Sequence, residues 1–249
     1  MNIGLYQSAA SLSALERWQD AVTQNISSGQ VSGFKKRTVQ FDTVRAGELH
    51  IDPRRHLRGG AEAGALFPQA SYGISFQSGE VHPTGRDLDV ALQGEGFFEV
   101  RTEDGQRVYT RNGAFHLRAD RTLVTSDNAE VLSDGGVPLQ LLAEGGSVKI
   151  TEEGVVTQGE TQIGRLAIVS FADPSRLLPT GGGTFLAPAG LEPEAVAQPQ
   201  VLQGHSEASN VSSLREMVDL VNIARAYDAN QRMIQARDQN AQRVLDTLG

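Results

Sequence analysis

The sequence contains no cysteine among its 249 residues. Disulfides, thiolate nucleophiles and cysteine-ligated metals are therefore excluded. Aromatic residues make up only 6% of the chain and tryptophan occurs once, which argues against the aromatic lining of a sugar-binding groove. No apolar run approaches the roughly 18 residues of a membrane-spanning helix. The first residues, MNIGLYQSAASLSAL, have no basic region and no continuous apolar stretch, so we expect no cleaved secretory signal.

The net charge of −8 is unevenly distributed. Residues 1–45 have five basic and three acidic side chains, for a charge of +2, and residues 205–249 have five and six, for −1. The remaining 12 basic and 21 acidic side chains give the middle of the chain −9. No region has the basic surface of a nucleic-acid-binding protein, so we expect no nucleic-acid partner.

Residue patterns typical of catalysis or cofactor binding are absent. Gly94-Glu95-Gly96 lacks the third glycine of a dinucleotide loop, and Ser32 to Lys35 matches S-x-x-K without the motifs that accompany it in enzymes. The histidines show no metal-ligand spacing; they are His50, His56, His82, His116 and His205. We therefore predict no catalytic, cofactor-binding or metal-binding residue, no cofactor and no small-molecule substrate. The chain is interpreted as a building block and not as an enzyme.

The N-terminal segment is predicted to be an amphipathic helix. Apolar residues recur there in alternating steps of three and four, the spacing of one helix face. The residues on this face are Leu5, Leu12, Leu15, Val22 and Ile26. Ser27, Ser28 and Gly29 interrupt the pattern and predict the end of the helix.

The C-terminal segment is predicted to be a longer helix. Ser213 and Glu216 fit a capping box, and no proline or glycine follows until after Leu248. A helix of roughly 35 residues would be about 50 Å long. Its apolar spacing is close to a heptad repeat, which predicts coiled-coil-like packing. Its predicted interface residues are Met217, Leu220, Tyr227, Ile234 and Leu245.

Between the helices, the sequence changes to short alternating segments. In DLDVALQGEGFFEVR, Leu88, Val90 and Leu92 would share one face of a strand. Asn112-Gly113 predicts a tight hairpin turn. Because short strands alternate with Asp, Asn and Gly turns and no helix intervenes, the middle of the chain predicts an antiparallel β domain.

The predicted fold class is therefore α+β, with long terminal helices flanking a central antiparallel β domain. Apolar faces at opposite ends of the chain must be buried on each other or on other copies, so we expect both ends to be poorly ordered in a lone monomer. A proline-containing connector is predicted at 187–204. The predicted domains are an N-terminal helix and joint at 1–45, a linker at 46–75, a β-rich outer domain at 76–200 and a C-terminal assembly helix at 201–249, with 1–45 and 205–249 forming one helical assembly domain.

The stretch QNISSGQVSGFKKR, residues 24–37, resembles the joint of the bacterial flagellar hook–basal-body rod proteins, where an Asn-containing helix end precedes TGFK. The matching joint residues are Asn25, Gly29, Ser32, Gly33, Phe34 and Lys35. Residues 86–100, 109–132, 169–190 and 207–248 resemble further blocks of the family in the same order. Within the family, residues 84–92 and 237–245 are most similar to subunits of the proximal rod, and the distal rod is the close alternative.

The resemblance implies a structural subunit of the flagellar basal-body rod, polymerising head-to-tail through its terminal helices and transmitting torque from motor to hook. It implies copies of itself, other rod subunits and the type III export apparatus as partners, with location in the periplasm-spanning rod. Gly29 and Gly33 would let the chain bend, Phe34 would anchor the turn, and Lys35, Lys36 and Arg37 would pair with acidic groups of a neighbouring subunit or form a solvated basic face. Two alternatives are a phage-tail-like or other axial filament subunit and a ligand-binding β domain with helical oligomerisation ends.

Overall fold

The computed structural model describes residues 3–46, 65–143 and 145–248. The chain divides into two compact units. The helical unit comprises Met1–Ile26, Arg37–Gly73 and Ser213–Gly249, and the β unit comprises Ser27–Lys36 and Ile74–Ser212. Each unit is therefore assembled from segments that are far apart in the sequence.

Both predicted terminal helices are present. Helix α1 runs over Ile3–Ser28 and ends in the Ser27–Gly29 break that the sequence predicts. Helix α2 runs over Ser213–Leu248, and its 36 residues follow the uninterrupted pattern between the capping residues and the C-terminus. Since proline and glycine are the strongest helix breakers, their absence from α2 explains its length. Coiled-coil packing of these helices between subunits stays a prediction.

The helical unit also contains a pair of ten-residue strands, β1 (Arg37–Ala46) and β2 (Ala65–Ile74). The ring of Trp18 on α1 meets Phe41 of β1 edge-on, with ring centroids 5.6 Å apart. Arg17 donates a hydrogen bond of 2.7 Å from Nη1 to the carbonyl oxygen of Ala70 on β2. These contacts attach the paired strands to α1.

The range predicted as a linker, 46–75, therefore includes a complete strand, β2. Residues 47–64 of that range lie outside the described part of the chain. The sequence did not predict β2, because the segment has few periodic apolar positions. The strand is stabilised instead by its pairing with β1 and by its contact with α1.

The β unit is built from short strands joined by tight turns, with one 3-10 turn at Pro174–Arg176. The strands are β3 (Val81–Pro83), β4 (Val90–Gln93), β5 (Phe97–Arg101), β6 (Arg107–Thr110), β7 (His116–Leu117), β8 (Leu123–Val124), β9 (Glu130–Val131), β10 (Val148–Ile150), β11 (Val155–Gln158), β12 (Thr161–Arg165), β13 (Ile168–Ser170), β14 (Leu178–Gly181), β15 (Thr184–Leu186), β16 (Glu194–Ala195), β17 (Gln200–Gln203) and β18 (His205–Glu207).

The largest sheet has the order β14-β15-β6-β5-β9-β8-β7, with β13 pairing with both β5 and β16. Smaller sheets pair β10-β11-β12, β17-β4 and β18-β3. The registers of these β-unit pairs are antiparallel, as predicted; Phe98 on β5, for example, lies opposite Thr110 on β6 and Ile168 on β13. The central position of β5 explains why its first four residues, Phe97 to Val100, are all buried, the charged Glu99 among them.

Two apolar clusters form the core of the β unit. The larger cluster includes Phe98, fully buried, whose ring meets Phe115 at a centroid distance of 5.2 Å. The smaller cluster is aromatic and contains Phe97, Tyr109 and Phe185. Burying an aromatic or aliphatic side chain of this size stabilises a protein by roughly 1.5–3 kcal/mol, so the two clusters supply the β unit with its own core.

The hairpin predicted at Asn112-Gly113 is wrong. Strands β6 and β7, which flank it, do not pair with each other; β6 pairs with β5 and β15, and β7 pairs with β8. The Asn112 side chain accepts a hydrogen bond from the backbone N–H of Ala114, and a Cβ on Gly113 would lie 1.8 Å from the carbonyl oxygen of Val90. Gly113 is therefore required by close backbone approach and not by a hairpin turn.

The predicted connector at 187–204 contains two strands of the β unit. β16 pairs with β13, and β17 pairs with β4 in the register Val201 to Leu92. Val201 is buried in the larger core cluster. The prolines of this segment lie outside the paired residues, which is how the chain accommodates them next to a sheet.

Candidate assembly joint

The residues predicted to form a joint, between Asn25 and Lys35, are held by two separate hydrogen-bonded clusters, one in each unit. We call the cluster around Asn25 the asparagine latch and the cluster around Lys35 the lysine latch. Each latch fastens the joint segment to chain that lies more than 170 positions further along the sequence. This places the predicted joint residues among partners that sequence spacing could not identify.

The asparagine latch belongs to the helical unit. Asn25 is fully buried, and its side-chain Oδ1 accepts a 2.8 Å hydrogen bond from the backbone N–H of Arg37. Its Nδ2 donates to the Arg37 carbonyl at 2.8 Å and to Glu216 Oε2 at 2.9 Å. The side-chain amide of Asn25 supplies both a donor and an acceptor to the backbone of Arg37. It therefore takes the place of a neighbouring strand at the start of β1. The latch thus connects the ends of α1 and β1 to the first turn of α2.

The lysine latch belongs to the β unit. The Lys35 side chain is buried, and its Nζ donates to Glu207 Oε1 at 2.6 Å and to the Gln77 carbonyl at 2.8 Å. The same Glu207 oxygen accepts a 3.0 Å hydrogen bond from the backbone N–H of Gly79. Burial lowers the pKa of Lys35 from its ordinary value, while the hydrogen bond and charge of Glu207 oppose that shift. A buried ammonium group requires such a set of acceptors, because its desolvation is otherwise very costly.

The prediction that Lys35 pairs with a neighbouring subunit is wrong, because its partner Glu207 lies in the same chain. The reason is topological: β18 brings Glu207 next to the joint by pairing with β3, a contact that no local pattern reveals. Lys36 donates its backbone N–H to Asn210 Oδ1 at 2.7 Å.

Asn210 completes the lysine latch from the other side. Its Nδ2 donates to the carbonyls of Ser75 and Gln77 at 2.8 and 2.9 Å. Together with the bond from Lys36, these contacts use three of the four hydrogen-bonding positions of the side-chain amide. Asn210 therefore clamps the two chain segments at which the β unit begins and resumes.

Arg111 is the second buried cation of the lysine latch. Its Nε lies 3.7 Å from Glu207 Oε2, its Nη2 donates to the carbonyl of Gly94, and its guanidinium carbon lies 5.8 Å from the centre of the Phe97 ring. Burial lowers the pKa of Arg111, and the negative charges of Glu207 and Glu95 act in the opposite direction. The guanidinium nevertheless stays charged at any physiological pH.

Gly33 is the residue of the joint for which only glycine fits. Its φ of +67° lies in the left-handed region, and an added Cβ would lie 2.4 Å from the carbonyl carbon of Arg111. Next to it, Phe34 is buried, as expected for an anchor of the turn. Ser32 accepts a 3.0 Å hydrogen bond from the hydroxyl of Ser206, and Gly29 is half-buried.

The predicted assembly residues differ in their exposure. On α1, Leu15 and Val22 are buried, whereas Leu12 and Ile26 are half-buried. On α2, Met217 is exposed, whereas Leu220, Tyr227 and Ile234 are half-buried. The side chains of Leu5 and Leu245 lie outside the described part of the structure. A subset of the predicted face is therefore already packed within the chain, and Met217 is available to a partner.

The sequence reasoning missed Arg111, Glu207, Asn210 and Glu216 as members of the latches. The available signal was their position in the blocks that resemble the family, 109–132 and 207–248, where Asn210 and its neighbours match the family pattern. In residues 3–46, 65–143 and 145–248, no three His, Cys, Asp or Glu side chains are grouped to hold a metal ion. None of the described helices has the length and apolar composition to cross a membrane.

Comparison with known proteins gives matches at the level of family models and of whole chains. The model "Flagellar hook protein FlgE/F/G D1 domain" matches residues 91–158, and the model "Flagellar basal body rod FlgEFG protein C-terminal" matches residues 202–247. The second match includes Glu207, Asn210 and all of α2 except its last residue, Leu248.

Among whole chains, the sequence is 30% identical over 249 residues to the flagellar basal-body rod protein FlgF of Caulobacter vibrioides, covering 100% of this chain and 99% of that one. It is 30% identical over 252 residues to the FlgF protein of Rhizobium meliloti, with 100% and 99% covered. It is 31% identical over 252 residues to the FlgG protein of Borreliella burgdorferi, with 94% of each chain covered.

Proposed function

Because the chain belongs to the family of flagellar basal-body rod proteins, it is a structural subunit of the bacterial flagellar rod, and we propose that it polymerises head-to-tail through its helical unit. It is FlgF-like, with FlgG as the alternative within the family. In this proposal the subunit transmits torque from the motor to the hook. It is a structural and not a catalytic component.

The observation that carries the polymerisation proposal is an exposed apolar stripe on α2. It consists of Leu214, Met217, Val218 and Val221, which are between 51% and 75% exposed. Their spacing of three and four residues puts them on one side of the helix. Large apolar side chains grouped in this way favour an interface, because their burial stabilises association.

The division of the chain into two units supports a separate role for each unit in the rod. We propose that the helical unit is the assembly domain and that the β unit forms the outer domain. The predicted assembly domain, 1–45 with 205–249, shares residues 1–26, 37–45 and 213–249 with the helical unit, whereas 27–36 and 205–212 belong to the β unit. The asparagine latch supports this assignment, since it joins α1 and α2 inside one unit and lets a single subunit present both helices to its neighbours. Met217, Leu220, Tyr227 and Ile234 on α2, with Leu5, Leu12, Leu15, Val22 and Ile26 on α1 and Leu245 near the C-terminus, are its proposed interface residues.

The proposed partners are copies of the same chain, other rod subunits and the flagellar type III export apparatus, which would deliver the subunit to the growing rod. The export route follows from the function, because a rod subunit has to reach the periplasm-spanning part of the basal body. We place the subunit in the proximal rod, since the FlgF relatives are matched over 99% of their length.

Electron microscopy of basal bodies from a strain that lacks this gene tests the proposal. The expected result is non-motile cells whose rods end close to the inner membrane, with motility restored by the intact gene supplied in trans. A rod that ends further out would move the subunit to the distal rod. Complete rods in swimming cells would refute the proposed function.

A further inference from the structure

A cavity of about 250 Å³ lies in the β unit beside the lysine latch. Its walls include the rings of Phe76, Phe97 and Phe171, and Arg111 reaches it from the latch. Ser170 and Ala172 also line it, and Ala172 is exposed at the surface. We call it the Arg111 pocket. Sites for cofactors and drug-sized ligands occupy about 300–1,000 Å³, so this one is better matched to a protein side chain.

Arg111 lines this pocket, and its buried guanidinium has unused hydrogen-bonding capacity in the lone chain. Its side chain is only 4% exposed, yet in the described part of the chain its Nη1 has no hydrogen-bond partner. The facing oxygen of Glu207, Oε2, also lacks one, because the 3.7 Å separation from Arg111 Nε is too long. A buried guanidinium N–H left without an acceptor destabilises the protein that contains it.

The charges around the pocket favour an anionic occupant. Lys35 and Arg111 are two buried cations, and Glu207 is the buried carboxylate between them. Glu95 also lines the pocket, but it is exposed, so water screens its charge. The net charge of these three buried groups is therefore +1.

We propose that the Arg111 pocket receives an aspartate or glutamate side chain from a neighbouring copy of this chain in the rod. Such a carboxylate can accept from the guanidinium while the methylene groups of its side chain contact the phenylalanine rings. Subunits of this chain carry a net charge of −8, so acidic side chains are available on a neighbouring copy and would otherwise repel it. This inference rests on the proposed function, because it requires neighbouring subunits.

The first test fills the pocket and leaves every residue of the lysine latch unsubstituted. Ala172→Trp puts a large ring at the exposed edge of the pocket, and Ala172→Ser is the matched control at the same position. We expect both purified variants to melt within a few degrees of the parent chain, whereas Ala172→Trp lowers the yield of complete rods roughly tenfold, as loss of one charged hydrogen bond across an interface requires. Normal rod yield with Ala172→Trp would overturn the inference.

A photo-reactive p-benzoylphenylalanine at position 175, which is exposed and adjoins the pocket-lining Pro174, identifies the occupant without filling the pocket. After illumination of purified basal bodies, we expect a cross-link between this position and a peptide of a neighbouring subunit that contains Asp or Glu. A cross-link to a peptide without an acidic residue would overturn the inference, as would none at all. A cross-link only to the Glu95 loop of the same chain would show that the pocket is filled from within, which also overturns it.

Two further variants separate this inference from the proposed function. Glu95→Gln removes the exposed carboxylate that would compete with the occupant, so rod yield should be unchanged or higher, and a loss of rods would count against the assignment. Met217→Asp acts on α2 and should stop assembly whatever occupies the pocket. If Met217→Asp stops assembly and Ala172→Trp does not, the proposed function stands and the pocket inference falls. If the protein is absent from basal bodies altogether, the proposed function fails first.

Discussion

The two units differ in how much of their apolar surface they bury. The β unit encloses two clusters of buried aromatic and aliphatic side chains. Among the described residues of the helical unit, few apolar side chains are buried, and three of them are alanines: Ala14, Leu15, Ala21, Val22, Ala70 and Ile223. Large apolar side chains that stay exposed are concentrated there instead: Tyr6, Phe41, Val44, Tyr72, Leu214, Met217, Val218, Val221 and Met233.

This difference indicates which part of the chain can fold alone and which part needs partners. The stability of a helix in a protein comes mostly from packing its apolar face and only weakly from intrinsic propensity. The β unit has the core that independent folding requires, whereas much of the apolar surface of α2 meets solvent. We therefore expect the β unit to be stable in the monomer and the helical unit to gain most of its stability on assembly.

The largest expected effect is the loss of assembly when a charge enters the exposed stripe of α2. Met217 is 54% exposed, so Met217→Asp should leave the melting temperature of the monomer nearly unchanged. At an interface the same carboxylate would be buried without a partner, at a cost of roughly 3–5 kcal/mol, which is enough to prevent rod growth. Leu12→Asp on α1 should also stop assembly.

Rod length in purified basal bodies measures this effect. The matched control is Asn240→Asp, which adds the same charge at an exposed position of the same helix. Rods of normal length with Met217→Asp, or short rods with Asn240→Asp, would contradict the assignment of the stripe as the interface.

The next largest effect concerns the independence of the β unit. The backbone N–H of Ser75 donates to the carbonyl of Lys36 at 2.9 Å, so the residues on either side of segment 37–73 are close together. A short chain that joins 27–36 to 74–212 through two glycines should therefore show one cooperative thermal transition. A second fragment, with the boundaries 76–200 predicted from the sequence, is the matched comparison.

The fragment 76–200 should melt at a much lower temperature or without cooperativity. It lacks Lys35 and Glu207, and it ends at the first residue of β17. Circular dichroism of both fragments checks the prediction. Equal melting curves would mean that the lysine latch and β17 contribute nothing, and two featureless curves would remove the contrast between the units.

A smaller effect is expected from breaking the lysine latch in the full chain. Lys35→Met leaves Glu207 buried next to Arg111 alone, and removing one partner of a buried ion pair destabilises a protein by roughly 3–5 kcal/mol. Denaturant unfolding of the β unit measures the change. The control is Lys149→Met, which removes an exposed lysine from β10. If the control were as destabilising as Lys35→Met, the latch would not be the cause.

The smallest effect is a dependence of β-unit stability on acid. Hydrogen bonds from Arg101 and Arg118 lower the pKa of Glu130 from its ordinary value of 4.5. A carboxylate with a lowered folded-state pKa stabilises the fold above its unfolded pKa and loses that contribution as the pH falls through the folded value. Asp120, whose pKa Arg118 also lowers, contributes with the same sign.

Melting temperatures between pH 7 and pH 2.5 test this dependence. Stability should be constant above about pH 5 and fall below it, and Glu130→Gln should flatten the decline because its amide does not titrate. An equally steep decline in the Glu130→Gln variant would assign the acid sensitivity to other carboxylates.

The sequence predicts the parts of this fold that local patterns control. The three-four spacing and the Ser27–Gly29 break define α1, and the uninterrupted segment after Ser213 defines α2. The parts it misses depend on pairing between distant segments. Asn112-Gly113 has the composition of a hairpin turn, but β6 finds its partners in β5 and β15.

The candidate site shows the same limit. Asn25, Gly33, Phe34 and Lys35 are identified in advance by the family pattern, and the structure buries all four of them. The partner of Lys35 lies 172 positions away, so no local spacing indicates whether the charge meets its own chain or another. Assembly residues are harder still, because an apolar helix face looks the same whether its partner is internal or a second subunit.

Hydrogen exchange, compared between the purified monomer and intact basal bodies, tests the central contrast most directly. The amides of α2, from Ser213 to Leu248, should exchange much faster in the monomer than in basal bodies, while those of β5 and β6 should be equally protected in both. Equal protection of α2 in the two states would contradict the account, since it would mean that the helical unit is already stable without its neighbours.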